Sequence, residues 1–142
     1  MKNKLFIFCT LLSTFGVSAY GQTPNATLTK PVETKHTVIL DEVLHEKGFD
    51  NKSVQMMIVD FPPMSTSAAH KHPCPTFGYV LSGEIVSVVE GQTYRYKAGD
   101  YFSEVPNRIH NNARNESRTV PAKLLVFFIK DTKGATMIPA NK

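Results

Sequence analysis

The sequence predicts an all-β fold, a single small barrel or sandwich, on three observations. Seven or more short segments rich in β-branched and aromatic residues follow one another at close spacing, and turn-forming residues separate them. Only residues 41–47 carry a plausible helical turn. With 142 residues, of which 42% are apolar and 20% are charged, the chain suits one globular core. Closing the strands into a barrel would also remove exposed strand edges.

The first 21 residues are predicted to be a cleaved secretory signal peptide. Lys2 and Lys4 precede an apolar run over residues 5–17, and a small-x-small pattern follows this run. A membrane anchor is the alternative, but the run of about 13 residues is shorter than the ~20 that a spanning helix needs. We therefore expect a mature chain that begins near Gln22, is secreted or periplasmic, and keeps no membrane attachment after cleavage.

The mature chain divides into a leader and a barrel domain. Residues 22–34 are polar and rich in Thr and Pro, which predicts a flexible leader, and residues 35–142 are predicted to form the barrel. The predicted strands of this domain are 36–40, 54–61, 77–81, 84–89, 93–96, 101–105 and 123–129.

Turn signals justify the boundaries of these strands in order. Pro62-Pro63 ends the second strand, and Ser82-Gly83 separates the third from the fourth. Glu-Gly-Gln at 90–92 separates the fourth from the fifth, and Ala-Gly-Asp at 98–100 separates the fifth from the sixth. Regular spacing of this kind is typical of barrels and sandwiches.

Charge and cysteine content argue against a nucleic-acid-binding protein and against a disulfide-stabilised domain. Removal of Lys2 and Lys4 lowers the basic residues from 16 to 14, against 12 acidic ones, and those that remain are scattered. No nucleic-acid-binding surface is therefore predicted. Cys9 leaves with the signal peptide, so Cys74 is then a single thiol and no internal disulfide is expected. Such a thiol is buried, near a metal or open to oxidation.

Two histidines one residue apart, His70 and His72, precede the strand predicted at 77–81. In an extended segment, residues i and i+2 point to the same face with α-carbons roughly 6.6 Å apart, so both rings can reach one ion at ~2.1 Å. Solvated loop histidines are the alternative interpretation of the pair taken alone.

Two longer segments follow the histidine pair: GYVLSGE at 78–84 and AGDYFSEVPNRIH at 98–110. Together with the pair they resemble the two motifs of the cupin family, G-x5-H-x-H-x3-E-x6-G and G-x5-P-x-G-x2-H-x3-N. The resemblance implies a cupin β-barrel of the jelly-roll type. It also implies that His70, His72 and His110 bind one divalent transition metal, which would be Fe, Mn, Zn, Ni or Cu.

The chain departs from the cupin motifs at positions that bear on the ligands. Thr76 occupies the slot of the first-motif glutamate, and its hydroxyl, which stays protonated at neutral pH, is a poor metal ligand. Asn107 replaces the glycine of the second motif, which is tolerable because Asn adopts positive φ cheaply. Arg114 occupies the slot of the closing asparagine. We expect the barrel to survive these changes with an altered ligand set.

Glu104 is the predicted replacement for the missing carboxylate. Related small cupins that lack the first-motif glutamate often read E-P-P-G-x-x-H at this place, and residues 104–110 resemble that pattern. The resemblance implies that Glu104 is a further metal ligand or a catalytic base. A surface carboxylate paired with Arg108 or Arg95 is the alternative. His36 and His45 lie too far outside the motifs to be nominated.

Strand alternation predicts which residues share the ligand face. Alternation from Thr76 sends Gly78 to the same face, where a glycine would leave space beside the metal. The same reasoning on neighbouring strands gives the other candidates. The predicted pocket residues are Thr76, Gly78, Val80, Met57 and Phe102.

Two functions fit this pattern. The first is a small metal-dependent enzyme, dioxygenase-like or isomerase-like, that acts on a small oxygenated metabolite with Glu104 as ligand or base. The second is a non-catalytic ligand-binding or sensory module, because the fold does not choose between the two. Both predict a small-molecule partner and no nucleic acid, and the abundant aromatic residues leave a homodimer open.

Overall fold

A computed structural model describes residues 30–141 of the protein, and the regular structure in this range is all β-strand. The predicted signal peptide lies outside the described residues. The described range contains no helix that could cross a membrane. Its strands are β1 (Val32–Glu33), β2 (Lys35–Val43), β3 (Lys52–Phe61), β4 (Ser65–Thr66), β5 (His70–Lys71), β6 (Thr76–Ser82), β7 (Glu84–Val89), β8 (Gln92–Lys97), β9 (Tyr101–Glu104), β10 (Ile109–Arg114), β11 (Ala122–Asp131) and β12 (Ile138–Pro139).

The strands form two sheets. The five-stranded sheet has the order β2-β3-β11-β6-β9, and its pairs are antiparallel. The seven-stranded sheet follows the path β1-β4-β10-β5-β12, with β7 paired to β10 and β8 paired to β7. Many neighbours, such as β3 and β11, lie far apart in the sequence, as in a jelly roll and unlike a simple meander. The predicted all-β class is confirmed.

The core is an apolar cluster to which both sheets contribute. On β11, buried residues alternate with more exposed ones, so one face of the strand is turned inward. Burial of each large apolar side chain contributes about 1.5–3 kcal/mol to stability. The buried cluster consists of Val59, Phe61, Cys74, Val80, Ile85, Ala122, Leu124, Val126 and Phe128.

All seven predicted strand segments coincide with strands, but β10 and four shorter strands were not predicted. β10 reads IHNNAR and lacks the run of β-branched and aromatic residues that marks the other strands. It forms because its backbone pairs with β7 on one side and with β4 and β5 on the other. Long-range pairing therefore overrides a weak local preference.

The predicted helical turn over residues 41–47 is wrong. Residues 41–43 continue β2 and pair with residues 53–55 of β3, and residues 44–50 form irregular turns. Cross-strand hydrogen bonds in this hairpin outweigh a local helical preference, which is only a weak determinant of structure.

The predicted boundary of the leader at residue 34 also needs correction. Val32–Glu33 form β1, which pairs in parallel with Ser65–Thr66 of β4. The ordered domain therefore begins before Lys35, because these residues find backbone partners in the seven-stranded sheet.

Gly78 and Phe102 form a close cross-strand contact. The two residues are directly paired between β6 and β9. The Phe102 ring lies over the glycine, so that a β-carbon at position 78 would overlap the ring. The same ring packs against Tyr96, with ring centroids 4.6 Å apart. The absent side chain of Gly78 thus sets the position of Phe102, two residues before Glu104.

Gly78→Ala is expected to destabilise the protein by about 1–3 kcal/mol, because the added methyl group displaces the packed Phe102 ring. Chemical denaturation of the wild type, Gly78→Ala, Phe102→Ala and the double variant measures this cost. Without the ring, the alanine should cost less than it does in the wild type. Equal costs in the two backgrounds would contradict the contact.

Candidate metal centre

The seven-stranded sheet brings two distant histidines together. His70 begins β5, which pairs with β10 so that His70 lies directly opposite His110. His72 follows two residues after His70, just beyond the end of β5. Sheet pairing thus places the histidine pair of the first motif beside the histidine of the second.

Glu104 reaches the same place from the five-stranded sheet. It ends β9 and lies directly opposite Thr76 on β6. Residues that oppose each other in antiparallel strands have side chains on the same face, with β-carbons ~4.5–5.5 Å apart. The carboxylate of Glu104 therefore enters the region that a glutamate at position 76 would occupy, from the neighbouring strand.

The three imidazole rings form a nearly equilateral triangle. Their centroids are 4.9 Å apart for His70 and His72, 5.2 Å for His72 and His110, and 5.3 Å for His70 and His110. Glu104 Oε2 lies 3.5 Å from His72 Nε2, and Oε1 lies 3.4 Å from His110 Nδ1.

Three of these four residues have donor atoms close enough to share an ion. One donor atom from each of His72, Glu104 and His110 lies within 4.8 Å of the other two. Ligands ~2.0–2.2 Å from a common ion lie at most ~4.4 Å apart, so only a small adjustment is required. His70 is outside this tightest set, although its ring stands at the third corner of the triangle.

Backbone carbonyls orient two of the rings. His70 Nδ1 donates to the carbonyl oxygen of Ala68 at 2.8 Å, and His72 Nδ1 donates to that of Thr136 at 2.6 Å. Because a carbonyl oxygen only accepts, each Nδ1 carries the hydrogen. This leaves the Nε2 atom of each ring as the one that can bind a metal, which is the usual arrangement around a metal-binding histidine.

Two buried polar atoms at the centre find no hydrogen-bond partner in the described part of the chain: His110 Nε2 and Glu104 Oε2. The Glu104 contacts of 3.4–3.5 Å to the imidazoles are too long to be good hydrogen bonds. An unpaired buried polar group typically costs about 1–3 kcal/mol. A divalent cation would satisfy both atoms, so the donor set fits a metal.

The electrostatics of the cluster also fit a cation. Burial lowers the pKa of His72 and of His110 to about 4, so both rings are neutral and able to bind metal near neutral pH. Burial raises the pKa of Glu104 to about 7. No cationic side chain among residues 30–141 compensates the charge of this carboxylate, and a bound metal ion would favour its ionised form.

The alternative of a surface carboxylate does not hold for Glu104. Its side chain is only 14% exposed. The two arginines considered as partners are engaged elsewhere: Arg108 pairs with Glu90 at 2.9 Å, and Arg95 pairs with Glu84 at 3.1 Å. Glu104 therefore belongs to the interior of the barrel.

A cavity of about 100 Å³ adjoins the cluster inside the barrel. All four candidate ligands line it, and the remaining wall is mostly apolar. His36 and Met137 line it as well, and both are exposed, so the cavity meets solvent beside them. The apolar wall consists mainly of Met57, Val59, Phe61, Leu124, Val126 and Phe128.

The predicted pocket residues divide into two groups. Thr76, Met57 and Phe102 line the cavity. The placement of Gly78 and Val80 on its wall needs correction, because neither lines it. Gly78 is covered by the Phe102 ring, and Val80 is fully buried in the core. Alternation gave the correct face for both residues but not their distance from the ligands.

His36, which sequence reasoning set aside, lies on the cavity wall. Partial desolvation of the His36 ring at the cavity wall, together with the nearby His70, lowers its pKa, and its Nε2 lies 3.1 Å from Thr34 Oγ1. His36 pairs with Val59, a buried residue of β3. Its position in an alternating strand was the available signal, but only the β2–β3 register shows that it faces the cavity.

Thr76 and Cys74 interact with each other. Thr76 Oγ1 donates to the Cys74 carbonyl oxygen at 3.0 Å, so its hydroxyl hydrogen is engaged by the backbone. Cys74 is a buried free thiol, and burial raises the pKa of that thiol. This protonated thiol packs in the apolar core cluster and lies outside the tight donor set.

A second cavity, of about 150 Å³, reaches the cluster from another direction. Tyr94 and Arg108 line it and do not line the first cavity. Glu104 and His110 line both, so the candidate centre stands between an apolar chamber and a more polar one. The residues common to both cavities are Ser87, Tyr96, Phe102, Glu104 and His110.

Fold and site together define a class of protein: a small jelly-roll barrel with histidines and a carboxylate gathered in its interior. The family model of the cupin domain matches residues 57–128. The chain therefore belongs to the cupin family. No curated protein sequence matches it.

Solved structures share the fold at low sequence identity. A cupin domain from Bordetella pertussis is 19% identical, with a TM-score of 0.57, over 72% of this chain and 98% of that one. A protein with a double-stranded β-helix domain from Klebsiella pneumoniae is 23% identical, with a TM-score of 0.58, over 78% and 86%. DMSP lyase DddQ from Ruegeria pomeroyi is 21% identical, with a TM-score of 0.57, over 75% of this chain and 51% of that one. These likenesses show the fold alone.

Metal binding is expected to depend on pH through Glu104. Below pH ~7 this carboxyl is protonated in the metal-free protein, so binding must release its proton, whereas above pH ~7 no such release is needed. Between about pH 5 and 7, Zn²⁺ affinity should rise about tenfold more per pH unit in the wild type than in Glu104→Gln. Chelator-competition titrations across this range measure both slopes, and parallel slopes would contradict the ligand role.

Thr76 and Glu104 lie directly opposite each other on β6 and β9. We therefore expect a carboxylate at position 76 to replace the one at position 104. Glu104→Thr should weaken metal affinity at least about tenfold, because an anionic ligand is lost. Thr76→Glu combined with Glu104→Thr should restore most of that affinity, since both positions face the same point.

A matched control places the carboxylate on the opposite face of the same strand. Phe77 neighbours Thr76 on β6 but is 43% exposed. Phe77→Glu combined with Glu104→Thr should therefore bind metal no better than Glu104→Thr alone. Equal affinities of the two double variants would show that Glu104 does not act through this cross-strand position.

Proposed function

We propose that the protein is a secreted, metal-dependent cupin enzyme, of the dioxygenase or isomerase type, that acts on a small oxygenated molecule. One observation carries the proposal: His110 Nε2 and Glu104 Oε2 are buried and unpaired in a histidine cluster that adjoins a cavity. His70, His72, His110 and Glu104 would hold one divalent transition metal. The signal-like pattern of the first 21 residues supports export.

The residues of the chain have separate tasks in this proposal. A bound divalent ion would supply Lewis-acid chemistry or, for a redox-active metal, oxygen chemistry. The carbonyls of Ala68 and Thr136 hold His70 and His72 in the metal-binding tautomer. The apolar wall excludes water from the substrate. Glu104 has two carboxylate oxygens, so one can bind the ion while the other accepts a substrate proton.

A second candidate is a module that binds its ligand without turnover. Among the described residues that line the first cavity, Glu104 is the single carboxylate, and no lysine or arginine is present. The protein therefore offers few groups for acid–base chemistry beyond the ligands themselves. This composition favours either chemistry at the metal or plain ligand binding.

Mature protein purified from a secreting host is expected to contain about one transition-metal ion per chain. His72→Ala should fall well below that content with an unchanged β-type circular dichroism spectrum, because the apolar core closes the barrel. His45→Ala is the matched control, since His45 is exposed and does not line the cavity. Metal content is measured by elemental analysis.

Ultraviolet–visible spectra of the same preparations under air and under nitrogen distinguish the two candidates. A spectrum that responds to oxygen supports an oxygenase. A folded wild type without metal, or full occupancy in His72→Ala, would overturn the metal-dependent function and favour the binding module.

A further inference from the structure

The first cavity, which adjoins all four candidate ligands, has two chemically different ends. At one end stand the histidine cluster and Glu104. The rest of the wall is largely hydrocarbon, with side chains such as Met57, Leu124 and Val126 from the inner face of the five-stranded sheet. A ligand that fills the cavity must match both ends.

The polar end sets the charge of the ligand. A divalent ion together with the single carboxylate of Glu104 leaves one net positive charge, which one anionic group of the ligand would neutralise. Among the described residues that line this cavity there is no lysine or arginine. A second anionic group would therefore be buried without a partner, which is strongly unfavourable.

The apolar end sets the shape of the ligand. The cavity of about 100 Å³ holds more than one water, which needs ~10–15 Å³, but it is smaller than the ~300–1,000 Å³ of sites for drug-sized molecules. Each methylene group that leaves water for such a wall should tighten binding roughly fourfold.

We infer that the ligand of this cavity is a small monoanion that joins a chelating pair of oxygen atoms to a short hydrocarbon group. The inference rests on the proposed metal centre and narrows its substrate class. Doubly charged carboxylates and phosphorylated compounds are disfavoured in the cavity. Arg108 does not neutralise a second anionic group in this cavity, because it lines the other cavity and pairs with Glu90.

Binding of three 2-oxo acids to the Co²⁺-loaded protein tests this class. Pyruvate, 4-methyl-2-oxopentanoate and 2-oxoglutarate share the same chelating group and differ in the substituent attached to it. Isothermal titration and the visible Co²⁺ spectrum give their affinities. We expect 4-methyl-2-oxopentanoate to bind most tightly, at least about tenfold more tightly than 2-oxoglutarate, with pyruvate weaker than the branched acid for lack of hydrocarbon.

Lysine substitutions at two adjacent positions distinguish a charge placed inside the cavity from a charge added elsewhere on the protein. Met57 lines the cavity, whereas Met56, its neighbour on β3, does not. Met57→Lys should reverse the preference in favour of 2-oxoglutarate, because it supplies a cation for the second carboxylate. Met56→Lys should leave the order of the wild type unchanged.

The outcomes distinguish this inference from the function on which it rests. A wild type that loads Co²⁺ but binds 2-oxoglutarate as tightly as the branched acid, or binds none of the three, would overturn the ligand class and leave the metal centre standing. The ligand order in the wild type decides this even if Met57→Lys fails to fold. Failure to load Co²⁺ would overturn both.

Discussion

Buried polar groups without hydrogen-bond partners at the centre of the barrel impose the main physical constraint on this structure. His110 Nε2 and Glu104 Oε2 lie in the interior without a partner among the described residues, and burial shifts the pKa of each side chain in the direction that favours its neutral form. Such groups reduce stability, and the apolar core of the barrel must offset this cost. An external cation with its own charge is the simplest agent that satisfies them together.

The closure of the barrel brings these groups together. The seven-stranded sheet contributes His70 and His110 through the β5–β10 pair, and the five-stranded sheet contributes Glu104 at the end of β9. Gly78 makes room for the Phe102 ring, which packs on β9 just before the carboxylate. The geometry of the centre is therefore a property of how the two sheets meet, and no single segment contains it.

The parts of the structure that local pattern determines are the parts that the sequence predicts correctly. Alternation and turn residues located the seven main strands, and the motif spacing led to His70, His72, His110 and Glu104, which the fold gathers at one place. Features that depend on partners distant in the sequence could not be predicted in this way. β10 exists through backbone pairing on both sides, and His36 reaches the cavity only through the register of β2 on β3. Alternation gives the face of the sheet on which a side chain lies but not its distance from the ligands. For this reason Gly78 and Val80 were wrongly predicted to line the cavity.

The direct opposition of Thr76 and Glu104 bears on how such a centre can change during evolution. Because both positions face one point, a carboxylate can be acquired on one strand before it is lost from its neighbour, and no ancestor need lack an anionic group there. The location of the carboxylate can thus change between strands while an anionic group stays at the same point. A search that requires the glutamate at its usual place in the motif would overlook descendants of this kind, whereas a search on the shared point in space would find them.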